Sequence, residues 1–230
     1  MAIGQEHTVK AFDLDIGELR GLIGQMGGVA EQAITDAMAA LQHGDFDLAR
    51  RVRENDKALD ALELEVERNA VRIIALRAPL ANDLREVVAA LKIAGVVERI
   101  GDYAKNIAKR VPMIEVEGAD RIEPVSVIAA MARMASGMVH DVLDAFAARD
   151  TEKALAVYER DDALDDFYDS IFRTLVTYMV ENPRTISQVA HLLFVAKNLE
   201  RIGDHATNVA EMVYFAATGT RLADRERVTH

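Results

Sequence analysis

The feature that most narrows what this chain can fold into is a block that it contains twice. Val97-Glu98-Arg99-Ile100-Gly101-Asp102-Tyr103-Ala104-Lys105-Asn106-Ile107-Ala108 is followed by Leu199-Glu200-Arg201-Ile202-Gly203-Asp204-His205-Ala206-Thr207-Asn208-Val209-Ala210. Glu, Asp and Asn recur at i, i+4 and i+8 in both copies, so on a helix each set forms one stripe of oxygen-bearing side chains. The similarity runs outward from the block. Gly44 to Asp60 matches Arg149 to Asp165 at an offset of 105 residues, against 102 between Glu98 and Glu200, so the first copy holds about three extra residues between these segments. Ala78-Pro79-Leu80-Ala81-Asn82 against Asn182-Pro183-Arg184 accounts for them, and both prolines stand where a helix start tolerates a missing N–H.

Each copy reads as three long amphipathic helices. They are expected at roughly 13–43, 45–76 and 80–111, then at roughly 122–148, 151–181 and 184–217. Pro112 to Pro124, with two prolines, Gly118 and a run of charges, reads as the linker. The expected fold is all-α, two tandem three-helix bundles over residues 1–115 and 116–230. Composition agrees: Pro numbers only four, Cys and Trp are absent, and half the chain is hydrophobic. Without cysteine there is no disulfide framework and no thiolate metal site. No apolar run approaches the roughly 18 residues of a membrane span, and no leader opens the chain, so a cytoplasmic protein with no direct membrane insertion is expected. A formal net charge of −11, with no basic cluster or aromatic platform evident in the sequence, argues against nucleic acid as the ligand.

On a helical wheel, Ile93, Val97, Ile100, Ala104 and Ile107 form the apolar face of the third helix, and Glu98, Asp102 and Asn106 lie roughly opposite. The carboxylates are therefore expected to face outward. Asp56 and Asp60, continued by Glu63 and Glu67, form a second stripe that converges on the first if the two helices are antiparallel neighbours. The second unit offers Asp161 and Asp165 against Glu200 and Asp204. Tyr168 and Phe172 replace Glu63 and Glu67 there, so that patch is expected to be less acidic. Carboxylates one turn apart repel by a few tenths of a kcal/mol, and a shared cation removes that cost. All-oxygen ligation suits hard or borderline ions. The alternative is that Arg99 and Arg201 neutralise the acids as salt bridges on a solvated face. His205 adjoins Asp204 but points about 140° away from Glu200, which favours a surface or interhelical role. Gly101 and Gly203, inside helices, read as permitting close packing, and Met131, Met134 and Met138 read as core filler. Val87 and Leu91 share the Glu98 stripe, as Val189 and Leu193 share that of Glu200, which favours self-association unless the other unit covers them.

With this duplication, the opening His7-Thr8-Val9-Lys10-Ala11-Phe12-Asp13 and the phrase Gln25-Met26-Gly27-Gly28, the chain resembles the PhoU family of bacterial phosphate-uptake regulators over nearly its full length. The resemblance implies a cytoplasmic, often dimeric protein that binds divalent or ferric ions (Mg, Mn, Fe or Zn) on its acidic patches. It also implies a negative regulator that couples the Pst phosphate transporter to the PhoR–PhoB two-component system, through the sensor kinase PhoR and the transporter ATPase PstB. The family motif falls on Glu98, Asp102, Glu200 and Asp204, with Asp56, Asp60, Asp161 and Asp165 as partners and Asn106 and Asn208 as further candidates. A metal-dependent phosphohydrolase and a metal-free structural bundle are the alternative functions. Neither a phosphate-binding Arg cluster nor a nucleophile with a placed base supports the enzyme.

Overall fold

The computed structural model describes residues 2–114 and 125–222, which form helices without a strand. The first unit comprises α1 (Ala2–His43), α2 (Phe46–Asn55), α3 (Lys57–Arg77) and α4 (Asn82–Ile114). The second repeats it as α5 (Val125–Ala148), α6 (Thr151–Tyr158), α7 (Asp161–Glu181) and, after a 3₁₀ turn at Pro183–Thr185, α8 (Ile186–Thr218).

Apolar residues at three- and four-residue spacing drive these helices together. On α4 they are Val87, Ala90, Ile93, Val97, Ile100, Ala104 and Ile107; on α8, Val189, Leu192, Val195, Leu199, Ile202, Ala206 and Val209, all essentially inaccessible to solvent. α2 and α6 begin on aspartate caps. Asp45 accepts from the Leu48 N–H at 2.8 Å, and Asp150 accepts from Glu152 and Lys153 at 3.1 and 2.9 Å. The residue before each cap is left-handed: Gly44 at φ 65° in the first unit, Arg149 at φ 56° in the second. Glycine adopts that conformation freely, whereas Arg149 does so while its guanidinium pairs with buried Glu86 of α4, which Arg20 of α1 also holds.

The second helix of each unit, expected to run unbroken over 45–76 and 151–181, is broken. The chain turns at Asp56, where the Leu59 N–H bonds back to the Asp56 carbonyl at 2.9 Å, and again at Glu159-Arg160, where the Arg160 N–H reaches Val157 at 3.1 Å. These three-residue hydrogen bonds tighten the turn and redirect the chain. The bend lets a short segment and a long one both lie against the same central helix. Other boundaries shift too. α1 starts at Ala2, well before residue 13, and α4 passes through Pro112 to Ile114, where the proline gives up one backbone hydrogen bond of the helix. The rest of the expected linker, 115–124, lies outside the described residues.

The two units do not stand apart. α1, α4, α5 and α8 pack as a closed set of four, α1 against α5 and α4 against α8, around one continuous core. Contacts from Arg110 to His191, Tyr103 to His205 and Arg85 to Ala216 run in opposite directions along α4 and α8, so these helices are antiparallel. Val87 and Val189, half of the apolar stripe read as favouring self-association, are fully covered, and Leu91 and Leu193 pack against the core. Each unit shields the other's stripe. Met131 and Met138 fill the core as expected, while Met134 is exposed.

Candidate metal centre

The two carboxylate groups lie where the break in the second helix meets the duplicated block. Glycine allows that approach. A Cβ on Gly101 would stand 2.1 Å from Leu59 Cδ1, and one on Gly203 would stand 2.1 Å from Leu164 Cδ2, so each leucine beside the break fills the space a side chain would take. The approach draws Asp56 toward Asp102, and Asp161 toward Asp204. Asp56 is buried, and Glu98, Asp102, Asp161, Glu200 and Asp204 are partly buried. These six thus border grooves between helices and do not face fully outward as the helical wheel indicated, because the neighbouring helix leans over them, whereas Asp60 and Asp165 on the second helix stay exposed.

The units fill these grooves differently. In the first, Lys105 Nζ donates to Asp56 Oδ2 and, at 3.1 Å, to Asp102 Oδ1. An ammonium therefore stands between two of the proposed ligands. The hydrogen bond to Asp56 holds the Lys105 pKa above the ordinary lysine value against the effect of burial. Glu98 has no such relief. Burial, then the charges of Asp102, Glu63, Asp60 and Asp56, push its pKa up. Burial and the charges of Glu67 and Asp60 do the same to Glu63.

The second unit has Thr207 in place of Lys105, and its hydroxyl donates to the Gly203 carbonyl at 3.0 Å. Here Asp161, Asp165 and Asp204 each offer a carboxylate oxygen, and the three lie within 4.8 Å of one another. Asp161 Oδ1 is buried without a hydrogen-bond partner. Burial raises the pKa of all three; on Asp161 the nearby Thr207 hydroxyl opposes the rise, and like charges add to it, Asp162 and Glu200 on Asp161, Asp161 and Glu200 on Asp165, and Glu200 and Asp161 on Asp204. Asp204 is pushed up to about 6. Glu200 is set to the side by Lys197, which pairs with it while lying 5.0 Å from the Tyr168 ring. Burial is the largest influence on Lys197 and works against its charge, but the bond and charge of Glu200, with Tyr168 and Asp204, together outweigh it and hold its pKa above the ordinary lysine value.

The donors fit a hard cation. Oxygens sharing one such ion stand no more than about 4–5 Å apart, twice a metal–oxygen distance of 2.0–2.6 Å, and a buried carboxylate oxygen without a donor is the group a cation satisfies. Asp161, Asp165 and Asp204 would hold the ion, with Glu200 beside them. The close convergence thus falls in the unit expected to be the less acidic, because the position of a lysine matters more than the number of acids. Of the first-unit candidates, Asp56 and Asp102 are joined by Lys105, Glu98 lies within their electrostatic reach, and Asp60 is exposed.

Lys105, Lys197 and Thr207 were missed in the sequence reading, although a signal was present. Aligning the copies sets Lys105 against Thr207 and Gly95 against Lys197, so each unit carries its lysine on a different turn. Arg99 and Arg201, read as possible neutralisers, make no direct ion pair with an acid among the described residues, although the Arg99 charge opposes the rise in the Glu63 pKa. Asn106 accepts from Lys109 at 3.2 Å, and Asn208 lies in a different groove, between α4 and α8, so neither joins the aspartates. His205 takes an interhelical place, its ring 5.1 Å from that of Tyr103.

The sequence model of the family described as the PhoU domain matches residues 23–111 and 128–213. A phosphate-specific transport system accessory protein PhoU homolog from Zymomonas mobilis is 58% identical over 221 residues, 96% of this chain and 92% of that protein. Among solved structures, PhoU from Pseudomonas aeruginosa superposes with a TM-score of 0.86 at 38% identity, covering 91% of this chain and 100% of that one. The phosphate transport system regulatory protein PhoU from Streptococcus pneumoniae gives 0.84 at 25% identity, covering 92% and 99%.

Proposed function

The chain belongs to the PhoU family, and from that premise we propose that it is a non-catalytic regulator of phosphate uptake whose second-unit carboxylates bind a metal ion. The observation that carries the metal reading is the convergence of one carboxylate oxygen each from Asp161, Asp165 and Asp204 within 4.8 Å of one another, with burial raising the pKa of all three. A divalent or ferric ion there would neutralise like charges that now raise one another's pKa, and would tie α7 to α8. The first-unit patch, with Lys105 between its aspartates, is the weaker site in this reading.

The regulatory part of the proposal rests on the named relatives, which are accessory or regulatory proteins of phosphate transport. In it the protein acts in the cytoplasm as a negative regulator, bridging the transporter ATPase PstB and the sensor kinase PhoR. No described helix is long and apolar enough to cross a membrane, so membrane partners would be reached by docking. A relay of this kind requires that the protein bind two states of the transporter with different affinity, since equal affinity transmits nothing.

Gene deletion tests the regulatory reading. Deletion should switch on phosphate-starvation expression in phosphate-rich medium, and a chain carrying Asp161→Asn, Asp165→Asn and Asp204→Asn should complement it only in part. Continued repression after deletion contradicts the regulatory role. Full complementation by the folded triple variant contradicts only the role given to the metal. Metal-dependent turnover of a generic phosphomonoester by the pure protein would favour the hydrolase instead.

A further inference from the structure

The sequence shows no basic cluster, yet the fold assembles one. On the outer side of the seam between α4 and α8 stand Arg85, Lys92, Arg99 and Arg110 from α4 and Arg201 from α8, each at least partly exposed. None of the five forms a direct ion pair with an acid among the described residues, although the chain carries a net charge of −11 and the Arg99 charge reaches Glu63 of the first acidic groove. Arg85 spends its guanidinium on Asn82 and, at 3.5 Å, on the Ala216 carbonyl. Arg110 stacks 4.4 Å over the Phe194 ring and meets His191 at 3.0 Å, and Arg201 lies 5.9 Å from the Tyr103 ring. Stacking holds a guanidinium flat on an aromatic face and leaves its edge donors free. Between the cations runs an apolar floor: Phe194 is 53% and Phe215 39% exposed, and Phe215 and Met212 line a groove of about 430 Å³ with Arg85, Lys92 and Arg221 and with one acid, Glu211.

We propose that this seam docks an acidic amphipathic helix of a partner protein. Arg85, Lys92 and Arg99 are spaced seven residues apart, about 10 Å along the helix axis, and Arg110 lies about 16 Å further on. Seven-residue spacing is the repeat at which a second long helix, crossing at about 20°, returns the same face to its neighbour. Carboxylates on one edge of that helix meet the cations, and its apolar residues meet Phe194, Phe215 and Met212. The shape of the charge selects a narrow partner. Glu98 and Glu200 are the sequence neighbours of Arg99 and Arg201, and the two acidic grooves flank the seam. A flat anionic bilayer or a polyanion wider than one helix meets those acids as well as the cations, whereas a single helix seated in the seam meets mainly the cations.

The probe is a synthetic helix about four heptads long, enough to span the cationic row, with glutamate along one edge of a leucine seam. Its twin carries lysine in place of glutamate. Fluorescence anisotropy against the full chain, in buffer with chelator so that metal loading does not enter, is expected to show the glutamate helix binding at least about 10-fold tighter, with the difference falling as salt rises. Lys92→Glu with Arg99→Glu and Arg201→Glu should abolish or reverse that preference. Arg99→Gln with Arg201→Gln should weaken it without adding like charge, and Arg133→Glu, at an exposed position of α5, should leave it intact. Equal affinity for the two helices overturns the proposal, as does a preference that survives the triple variant with helical content and Tm retained. Phosphatidylserine vesicles or single-stranded DNA binding through these cations, with no binding of the glutamate helix, overturns it in favour of a membrane or a nucleic acid.

Discussion

Exchanging one residue between the units should move the metal site. Thr207→Lys places a lysine three residues after Asp204 on α8, the relation Lys105 bears to Asp102 on α4. Lys105 Nζ donates to two carboxylates while its side chain remains 27% exposed, so a lysine at 207 can reach Asp161 and Asp204 without full burial. Hydrogen bonds to charged groups contribute roughly 1.5–3 kcal/mol each, and partial solvation argues for the low end. A metal ion that must displace both then binds with a deficit of about 3 kcal/mol, or roughly 100-fold in Kd. Thr207→Met, of similar length without charge, should cost much less, which separates charge from crowding. The reciprocal Lys105→Thr should raise metal affinity in the first unit. Calorimetric titration with Mn²⁺ measures all three. If Thr207→Lys keeps its affinity within about threefold, or loses no more than Thr207→Met does, the lysine does not control the site.

Three further outcomes are expected. Asp204 has a folded-state pKa of about 6, above its ordinary 3.8, so its ionised form opposes folding; that penalty is full above about pH 6 and is relieved as pH falls toward 4. In chelator, the gain in Tm on acidifying from pH 7.5 to 5 should therefore be smaller for Asp204→Asn than for the parent, and an equal gain would remove Asp204 from the account. Gly203→Ala should lower stability by about 1 kcal/mol and Tm by about 2–4 °C, overpacking against Leu164 outweighing the helix gained, and the same change in a Leu164→Ala background should stabilise. Glu86→Gln, which installs the residue found at Gln188 of the second unit, should cost about 2 kcal/mol in urea unfolding because Arg20 and Arg149 lose their shared carboxylate, the estimate being reduced for the exposure of both arginines.

Most of the fold was legible in the sequence, because it rests on periodicity and repetition. The third helix of each unit follows from its apolar spacing, and the pairing of Asp56 with Asp102 and Asp161 with Asp204 follows once the second and third helices of a unit are antiparallel neighbours. What a wheel drawn for one helix does not contain is the neighbouring helix. It placed Glu98 and Asp102 outward, whereas packing at Gly101 and Gly203 brings the next helix close enough to make a groove. The breaks at Asp56 and Arg160 carry no proline or glycine, so local propensity gives no warning of them; they arise from the need to pack two segments on one central helix. The lysines were legible but unread, since Lys105 and Thr207 differ inside a block whose identities drew the attention. The cationic seam was legible only in part, as a seven-residue row that went unread. Four of its five cations stand on α4, three of them seven residues apart, but only the antiparallel packing of α4 against α8 sets Arg201 and the exposed rings of Phe194 and Phe215 beside that row.

The claim that a cation belongs between α7 and α8 is tested most directly by anomalous diffraction from crystals of the full chain loaded with Mn²⁺. The account predicts a peak bounded by the carboxylates of Asp161, Asp165 and Asp204, stronger than any peak beside Lys105, and absent from Thr207→Lys crystals loaded in the same way. A map with no peak at these three aspartates, or one in which the patch at Asp56 and Asp102 fills first, would contradict it.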